Sequence, residues 1–319
     1  MMDEPPQLRI VVLSYNTRDL LADCLESVLA DPEAAAWRVV VVDNASTDGS
    51  AEMVRERFPT VQLVVAKENR GFSAGNNAGS GGREPFLLFL NSDTVVPAGA
   101  IGGLQGALQG RPEHGAVGPR LVNPDGSVQW SCRTFPGPLN TLLEGFWLER
   151  LLPRSRFFGR PRLTWLDHTL SADVEYVAGA ALLVRREAFE AAGRWPEAYY
   201  FYGEDADLCR SVRQLGWRIG FVGEVSITHL GGGSTGTKWG PMTVEAHRSV
   251  LRFALRSGGP VRLLLQRLAT VAVALPRLLL ALAAPRGEQA AARRRALLGV
   301  LRAALSPLPP AQRQREDGP

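Results

Sequence analysis

Only three cysteines occur, Cys24, Cys132 and Cys209, widely separated and without CxxC spacing. That number and spacing support neither a disulfide framework nor a zinc cluster and predict a reducing cytoplasm. The N-terminus, MMDEPPQLRIVVLSY, lacks both a basic n-region and an apolar h-region, so no secretory signal is expected ahead of the first apolar run. A long hydrophobic run is also missing. The best, LATVAVALPRLLLALAAP at 268–285, is interrupted by Pro276 and Arg277 and falls short of the ~20 unbroken apolar residues of a spanning helix. No GxxxxGK followed by Ser or Thr is present, and no GxGxxG follows the first apolar run, which removes the commonest phosphate and dinucleotide loops.

What is present is globular in composition. The 319 residues are 45% hydrophobic and 21% charged, enough for one large domain with an appendage. Net charge is +4, but the basic excess collects after residue 260, in VRLLLQR, ALPRLLLALAAPR and AARRRALLGVLR. It marks a basic tail, and no nucleic acid partner is expected.

Residues 9–13, 38–42, 61–65 and 86–90 are short β-branched or aromatic runs without polar alternation, as in parallel strands buried on both faces. Helical patterns lie between them. Leu20, Leu21, Cys24, Leu25, Val28 and Leu29 form one apolar stripe, and in STDGSAEMVRERFP Asp48 is a candidate N-cap with Pro59 as a stop. Strand alternating with helix predicts an open α/β sheet. Residues 111–172 show no clean period and read as an irregular insertion over the working edge of the sheet. Order returns with a strand and helix in VEYVAGAALLVRREAFEAAG, then a helix and strand in DADLCRSVRQLGWRIGFV. The expected division is a domain over 1–240, a basic helical appendage over 241–305 and a disordered tail over 306–319.

Open parallel sheets bind ligands beyond the carboxyl ends of their strands, where strand order reverses. Each of the four apolar runs ends there in polar residues: Ser14, Tyr15 and Asn16; Asp43 and Asn44; Asn69, Arg70, Gly71 and Asn76; Asn91, Ser92 and Asp93. Turn or cap roles suit Asn44, Ser46 and Asp48 equally well. Asp43 and Asp93, at strand ends away from cap positions, read as functional.

The ordered motifs VVLSYNTRDLLADCLESV, VVVDNASTDGS, NRGFSAGNNAG, FLNSDTVV, FYGEDADLCRSVRQLGW and THLGGGST together resemble the inverting family 2 glycosyltransferases of GT-A fold. The likeness is greatest to the branch with bacterial rhamnosyltransferases and covers residues 8 to about 235. It implies a Rossmann-like, mostly parallel sheet flanked by helices, and transfer of a sugar from dTDP-rhamnose or a UDP-sugar to an envelope glycan or lipid-linked acceptor. Under this resemblance Asp43 reads the pyrimidine base, and Asp93 matches the last position of the family's DxD, which holds a divalent cation, Mg or Mn, on the diphosphate. Ser14, Tyr15, Asn16, Asn69, Arg70, Gly71, Asn76, Asn91 and Ser92 complete the nucleotide-sugar contacts, and His229 completes the metal site. Asn91 departs from DxD by offering a neutral carbonyl in place of the first carboxylate.

Asp205, beside Glu204, matches the family's catalytic base, while as a sequence feature EDADL also suits the acidic first turn of a helix. The GGGSTG segment at 231–236 would close over the diphosphate. Two rivals remain, a nucleotide-sugar binding module without turnover and an NAD-dependent oxidoreductase; retention of Asp205 and the missing GxGxxG argue against them. The Arg and Leu alternation of the tail suits equally an anionic membrane surface at the inner face of the cell membrane, or an appendage packed on the catalytic domain or forming a dimer interface.

Overall fold

A computed structural model describes residues 6–231, 239–283 and 287–308. Most of the 231–236 segment and of the 306–319 tail, each the subject of an expectation above, lies outside the described residues.

The N-terminal half alternates β1 (Leu8–Ser14), α1 (Arg18–Leu29), β2 (Trp37–Asp43), α2 (Ser50–Arg57), β3 (Gln62–Val65), α3 (Gly71–Gly79) and β4 (Phe86–Asn91). These strands pair in parallel in the order β3-β2-β1-β4. Successive side chains enter opposite cores: Ile10, Val12 and Val41 pack with Leu21, Leu25 and Val28 of α1, while Val11, Val40 and Phe89 pack on the other face. Both faces being covered, no polar alternation survives. β3 departs from the expectation of two buried faces. It is the edge strand, with one neighbour and Val65 47% exposed.

The chain continues through β5 (Thr94–Val95), α4 (Ala100–Gln109), β6 (His114–Val122), β7 (Val128–Gln129), β8 (Cys132–Arg133), α5 (Pro138–Gly145) and α6 (Leu148–Leu151). There follow β9 (Ala172–Val174), β10 (Tyr176–Val177), β11 (Ala181–Arg185), α7 (Arg186–Ala191), α8 (Glu204–Gln214), β12 (Arg218–His229), α9 (Trp239–Ala283) and α10 (Glu288–Leu305). Beyond β4 the sheet runs β11-β6-β12-β5 and becomes mixed, with β11 antiparallel to both β4 and β6. β6 corrects the reading of 111–172 as wholly irregular. Its sequence, HGAVGPRLV, carries two glycines and a proline that mask a strand pattern, and its place between β11 and β12 buries it regardless.

Two features of α9 also differ from expectation. Non-helical backbone at Gly258 and Gly259 divides it in two, whereas the helix passes through Pro276. By length and composition alone the Gly240–Ala283 stretch could cross a membrane, with the Gly258 and Gly259 break inside it. α9 packs against α5 and α10.

Candidate active site

Sequence order reverses between β1 and β4, because β2 and β3 lie on one side of β1 and β4 on the other. Register then aligns the carboxyl ends, Ser14 with Asp43 and Leu13 with Asn91. A cleft of about 890 Å³ opens there, lined by Tyr15, Asn69, Gly71, Asn91, Ser92, Asp93, Glu204, Asp205 and His229 among others. Nine of the fourteen expected site residues thus share one cavity.

The other five hold the scaffold or lie beside the cleft, Arg70 in an ion pair with Glu197 at 3.5 Å. Ser14 is fully buried, and its hydroxyl meets Thr17 Oγ1 at 3.0 Å, which in turn meets Ser92 Oγ at 2.8 Å. This hydroxyl ladder ties β1 to the end of β4 across the switch point. Asn16, at φ 51°, accepts the Thr47 backbone N–H at 2.8 Å and donates its own N–H to Ser46 Oγ. Asn76 is buried within α3 and donates to the Phe72 carbonyl. Asp43 Oδ2 accepts the Ser46 N–H at 3.1 Å, a turn role, while Oδ1 is buried with no hydrogen-bond partner among the described residues. An orphaned carboxylate oxygen beside a ligand crevice is costly unless a ligand donor reaches it.

Asn44 and Asp48 organise loops. Asn44 donates to Asn69 Oδ1 and accepts the Arg70 N–H, and Asn69 Oδ1 accepts the Gly71 N–H. Gly71 has φ +83°, and a Cβ there would stand 2.8 Å from the Tyr200 carbonyl, so both backbone and space require glycine. Asp48 serves two helices, accepting the Arg18 N–H at the start of α1 and the Ser50 N–H at the start of α2.

On the far side, β12 pairs antiparallel with β5, His229 opposite Thr94, which carries His229 to Asp93. His229 Nε2 stands 3.3 Å from Asp93 Oδ1 and 3.4 Å from Asn91 Nδ2. Gln129 decides the tautomer. Its amide nitrogen donates to the His229 carbonyl at 2.6 Å and to Asn123 Oδ1 at 2.7 Å, so its Oε1 accepts from His229 Nδ1 at 2.8 Å. With Nδ1 donating, the neutral imidazole turns the Nε2 lone pair on a carboxylate oxygen, an arrangement that a cation relieves. The donor set therefore fits a divalent ion, although no group of three or more His, Cys, Asp or Glu side chains that could hold a metal occurs among the described residues.

Glu204 and Asp205 open α8 after Gly203, whose φ is +85°. Asp205 is half-buried, and its carboxylate accepts the Ala206 N–H at 2.8 Å and the Gly179 N–H at 3.3 Å. Burial raises both carboxyls, that of Glu204 to about 8 with Asp205 adding repulsion. The backbone donors and Arg133 counteract the rise at Asp205. The Ala206 and Gly179 N–H groups and the Arg133 guanidinium favour placing what charge the pair carries on Asp205. Asp207, fully buried, is structural: it pairs with Arg210 at 2.7 Å and with Arg256, joining α8 to α9.

Sequence reasoning missed Gln129, Arg133 and Tyr176, which line the cleft, and the wall supplied by Ser249 and Phe253 of α9. Gln129, Arg133 and Tyr176 lie on two-residue strands, which carry no periodic signal. Burial opposes the charge of Arg133, but Tyr176, Glu144 and Asp205 hold its pKa above the ordinary value.

The profile described as Glycosyl transferase family 2 matches residues 9–192, more than half of the chain. The chain belongs to glycosyltransferase family 2. An N-acetylglucosaminyl-diphospho-decaprenol L-rhamnosyltransferase of Mycobacterium tuberculosis is 31% identical over 248 residues, spanning 72% of this chain and 79% of that one. The O-antigen biosynthesis protein RfbC of Myxococcus xanthus is 30% identical over 228 residues, 70% of this chain but 17% of that protein. A mannosyltransferase from Pyrobaculum calidifontis, solved with GDP-Man and Mn2+, superposes at a TM-score of 0.58 over 95% of this chain and 87% of its own, at 18% identity. The family 2 domain thus has a GT-A-like fold, a mixed α/β sheet flanked by helices with a C-terminal helical region.

Proposed function

We propose that this family 2 enzyme transfers a sugar from dTDP-rhamnose or a UDP-sugar to a hydroxyl of an envelope glycan or lipid-linked saccharide, in the cytoplasm, with inversion at the anomeric carbon. One observation carries the reading: a single cleft holds the Asp93 and His229 pair and the buried Glu204 beside the half-buried Asp205. The Mycobacterium relative, named as a rhamnosyltransferase acting on a diphospho-decaprenol, supports the donor and acceptor class.

In this reading Asp205 accepts the proton of the acceptor hydroxyl while the acceptor oxygen bonds to C1. The bond from C1 to the diphosphate oxygen breaks, and its electron pair leaves with the nucleoside diphosphate. Glu204, neutral, does not compete as a base or nucleophile, which suits a single displacement. Asp93 and His229, with Asn91 beside them, would hold a divalent cation, which offsets charge on the leaving diphosphate. Asp43, whose Oδ1 has no hydrogen-bond partner among the described residues, would accept a ring N–H of the base.

Calorimetric titration with UDP, dTDP, GDP and NAD, each with and without Mn2+, tests the donor class. Metal-dependent binding of one pyrimidine diphosphate is expected. Binding of NAD alone would sink the reading. A second prediction concerns Gln129 as a positioning residue. Gln129→Leu is expected to weaken Mn2+ binding in the presence of nucleotide by about 10- to 100-fold, read by electron paramagnetic resonance of free Mn2+. Gln129→Glu keeps an acceptor for Nδ1 but turns its second oxygen on the His229 carbonyl and Asn123 Oδ1, so it is expected to recover only part of the loss; equal losses in both variants would point to loop damage in place of ring orientation.

A further inference from the structure

The second helical stretch of α9 presents an unpartnered apolar stripe. Val261, Leu264, Leu268, Leu275, Leu279 and Leu282 are all exposed, Leu268 and Leu279 by 58% each. Their spacings of three, four and seven residues place them on one side of the helix, over a length of roughly 32 Å. The opposite side is packed and partly polar: Gln266, Thr270 and Val273 are buried, and Gln266 Nε2 donates to Thr141 of α5 at 2.7 Å. On α10, Arg295, Leu298, Arg302 and Leu305 are exposed with spacings of three and four, so cationic and apolar groups share its outer face. Phe146 and Trp147, 44% and 46% exposed, flank α9, with the Arg277 guanidinium 4.3 Å over the Trp147 ring.

Charge selects the occupant. Between 258 and 305 the sequence has eight arginines and one acidic residue, Glu288. A second copy of the chain on a two-fold axis would cover the leucines but bring two such arginine sets together. A membrane-spanning α9 would have to carry the packed Gln266 and Thr270 face into hydrocarbon. An anionic lipid surface meets both demands, receiving the leucines at the acyl boundary and the arginines among the headgroups.

We propose that the outer faces of α9 beyond Gly259 and of α10, with the Phe146 and Trp147 corner, dock the protein on an anionic lipid bilayer, lying in the interface without crossing it. α5 connects this face to the cleft, since Asn140, Thr141 and Glu144 line the cavity while Gly145 packs against Val273 of α9. Docking by this face would hold the α5 rim of the cleft at the lipid surface, where the sugar of a lipid-anchored acceptor lies. The surface itself does not depend on the proposed transfer reaction, because docking is measured without donor or acceptor.

Flotation of the full chain with vesicles of equimolar phosphatidylglycerol and phosphatidylcholine, against vesicles of phosphatidylcholine alone, tests the proposal. The wild-type protein is expected to float with the anionic vesicles and to be released by high salt in part. A variant carrying Leu264→Gln, Leu268→Gln, Leu275→Gln and Leu279→Gln, all at exposed positions, should lose more than about tenfold in partitioning while keeping its circular dichroism spectrum. Arg295→Ala with Arg302→Ala should erase most of the preference for anionic over neutral vesicles, about fivefold for each arginine. Failure of the wild-type protein to float would overturn the proposal. So would flotation untouched by the leucine changes, or a dimer in sedimentation that those changes dissociate while vesicle binding stays as it was.

Discussion

Replacing Asp205 by Asn is expected to lower kcat by roughly 10²- to 10⁴-fold while leaving the donor KM nearly unchanged, since the proposed base is lost and the proposed nucleotide contacts remain. The comparison that gives this force is Glu204→Gln. Glu204 is buried, and its carboxyl is pushed up to about 8, so at neutral pH it is already an uncharged hydrogen-bonding group that glutamine can imitate. Activity within about tenfold of wild type is expected for it, against the much larger loss at the neighbouring position. If Glu204→Gln proved the more damaging of the two, the base would have been assigned to the wrong carboxylate.

The same pair ties activity to stability through pH. The Glu204 carboxyl rises from its ordinary 4.5 to about 8 on folding, because burial and the Asp205 charge disfavour its ionised form. Between those values the folded state binds a proton that the unfolded chain has released. Its contribution to stability is therefore complete below about 4.5 and is lost as pH rises through about 8. Urea denaturation across pH 5–8 should show a shallower decline for Glu204→Gln than for wild type.

Asp93→Asn is expected to produce the other large effect. Asp93 brings the negative charge to a trio completed by Asn91 and the Nε2 lone pair of His229, so its neutralisation leaves a site with no formal charge to attract a cation. Binding of the nucleoside diphosphate should lose its dependence on Mn2+ altogether, and turnover should fall by about 10³-fold or more, as when charge stabilisation of a leaving group is removed. Titrating nucleotide into the variant with and without Mn2+ separates this from misfolding, because Tyr15, Asn69 and Gly71, the proposed metal-independent contacts, still line the cleft. Metal-dependent binding that survived in the variant would exclude Asp93 as the cation ligand.

Legibility from sequence followed the locality of the signal. The four N-terminal strands and the α1 stripe could be read because parallel strands buried on both faces, and a helix packed on one, impose short-range patterns on their own residues. The strand-end positions of Asp43 and Asp93 were visible for the same reason: a polar residue follows an apolar run directly. β6 was not legible, because its glycines and proline break the pattern and its burial is imposed by β11 and β12, which are distant in sequence. Ser14 and Asn76 stood at positions that a sequence could assign only by neighbourhood. Their side chains serve a hydroxyl ladder and the interior of α3.

By itself the sequence determined an α/β chain with carboxylates and amides at the carboxyl ends of its strands, an acidic helix start at 204–207 and a basic, leucine-rich C-terminal region. Only the tertiary structure decided which of these groups meet. The antiparallel pairing of β12 with β5 brings His229 across 136 residues of chain to Asp93 and lets Gln129 set its tautomer. Packing of α8 against α9 separates the buried, ion-paired Asp207 from the cleft-facing Asp205 two residues earlier. The outward leucines of α9 also emerge only once α5 and α10 have covered the opposite face. Contacts between residues far apart in sequence follow from sheet order and burial, and neither leaves a periodic mark on the residues that make them.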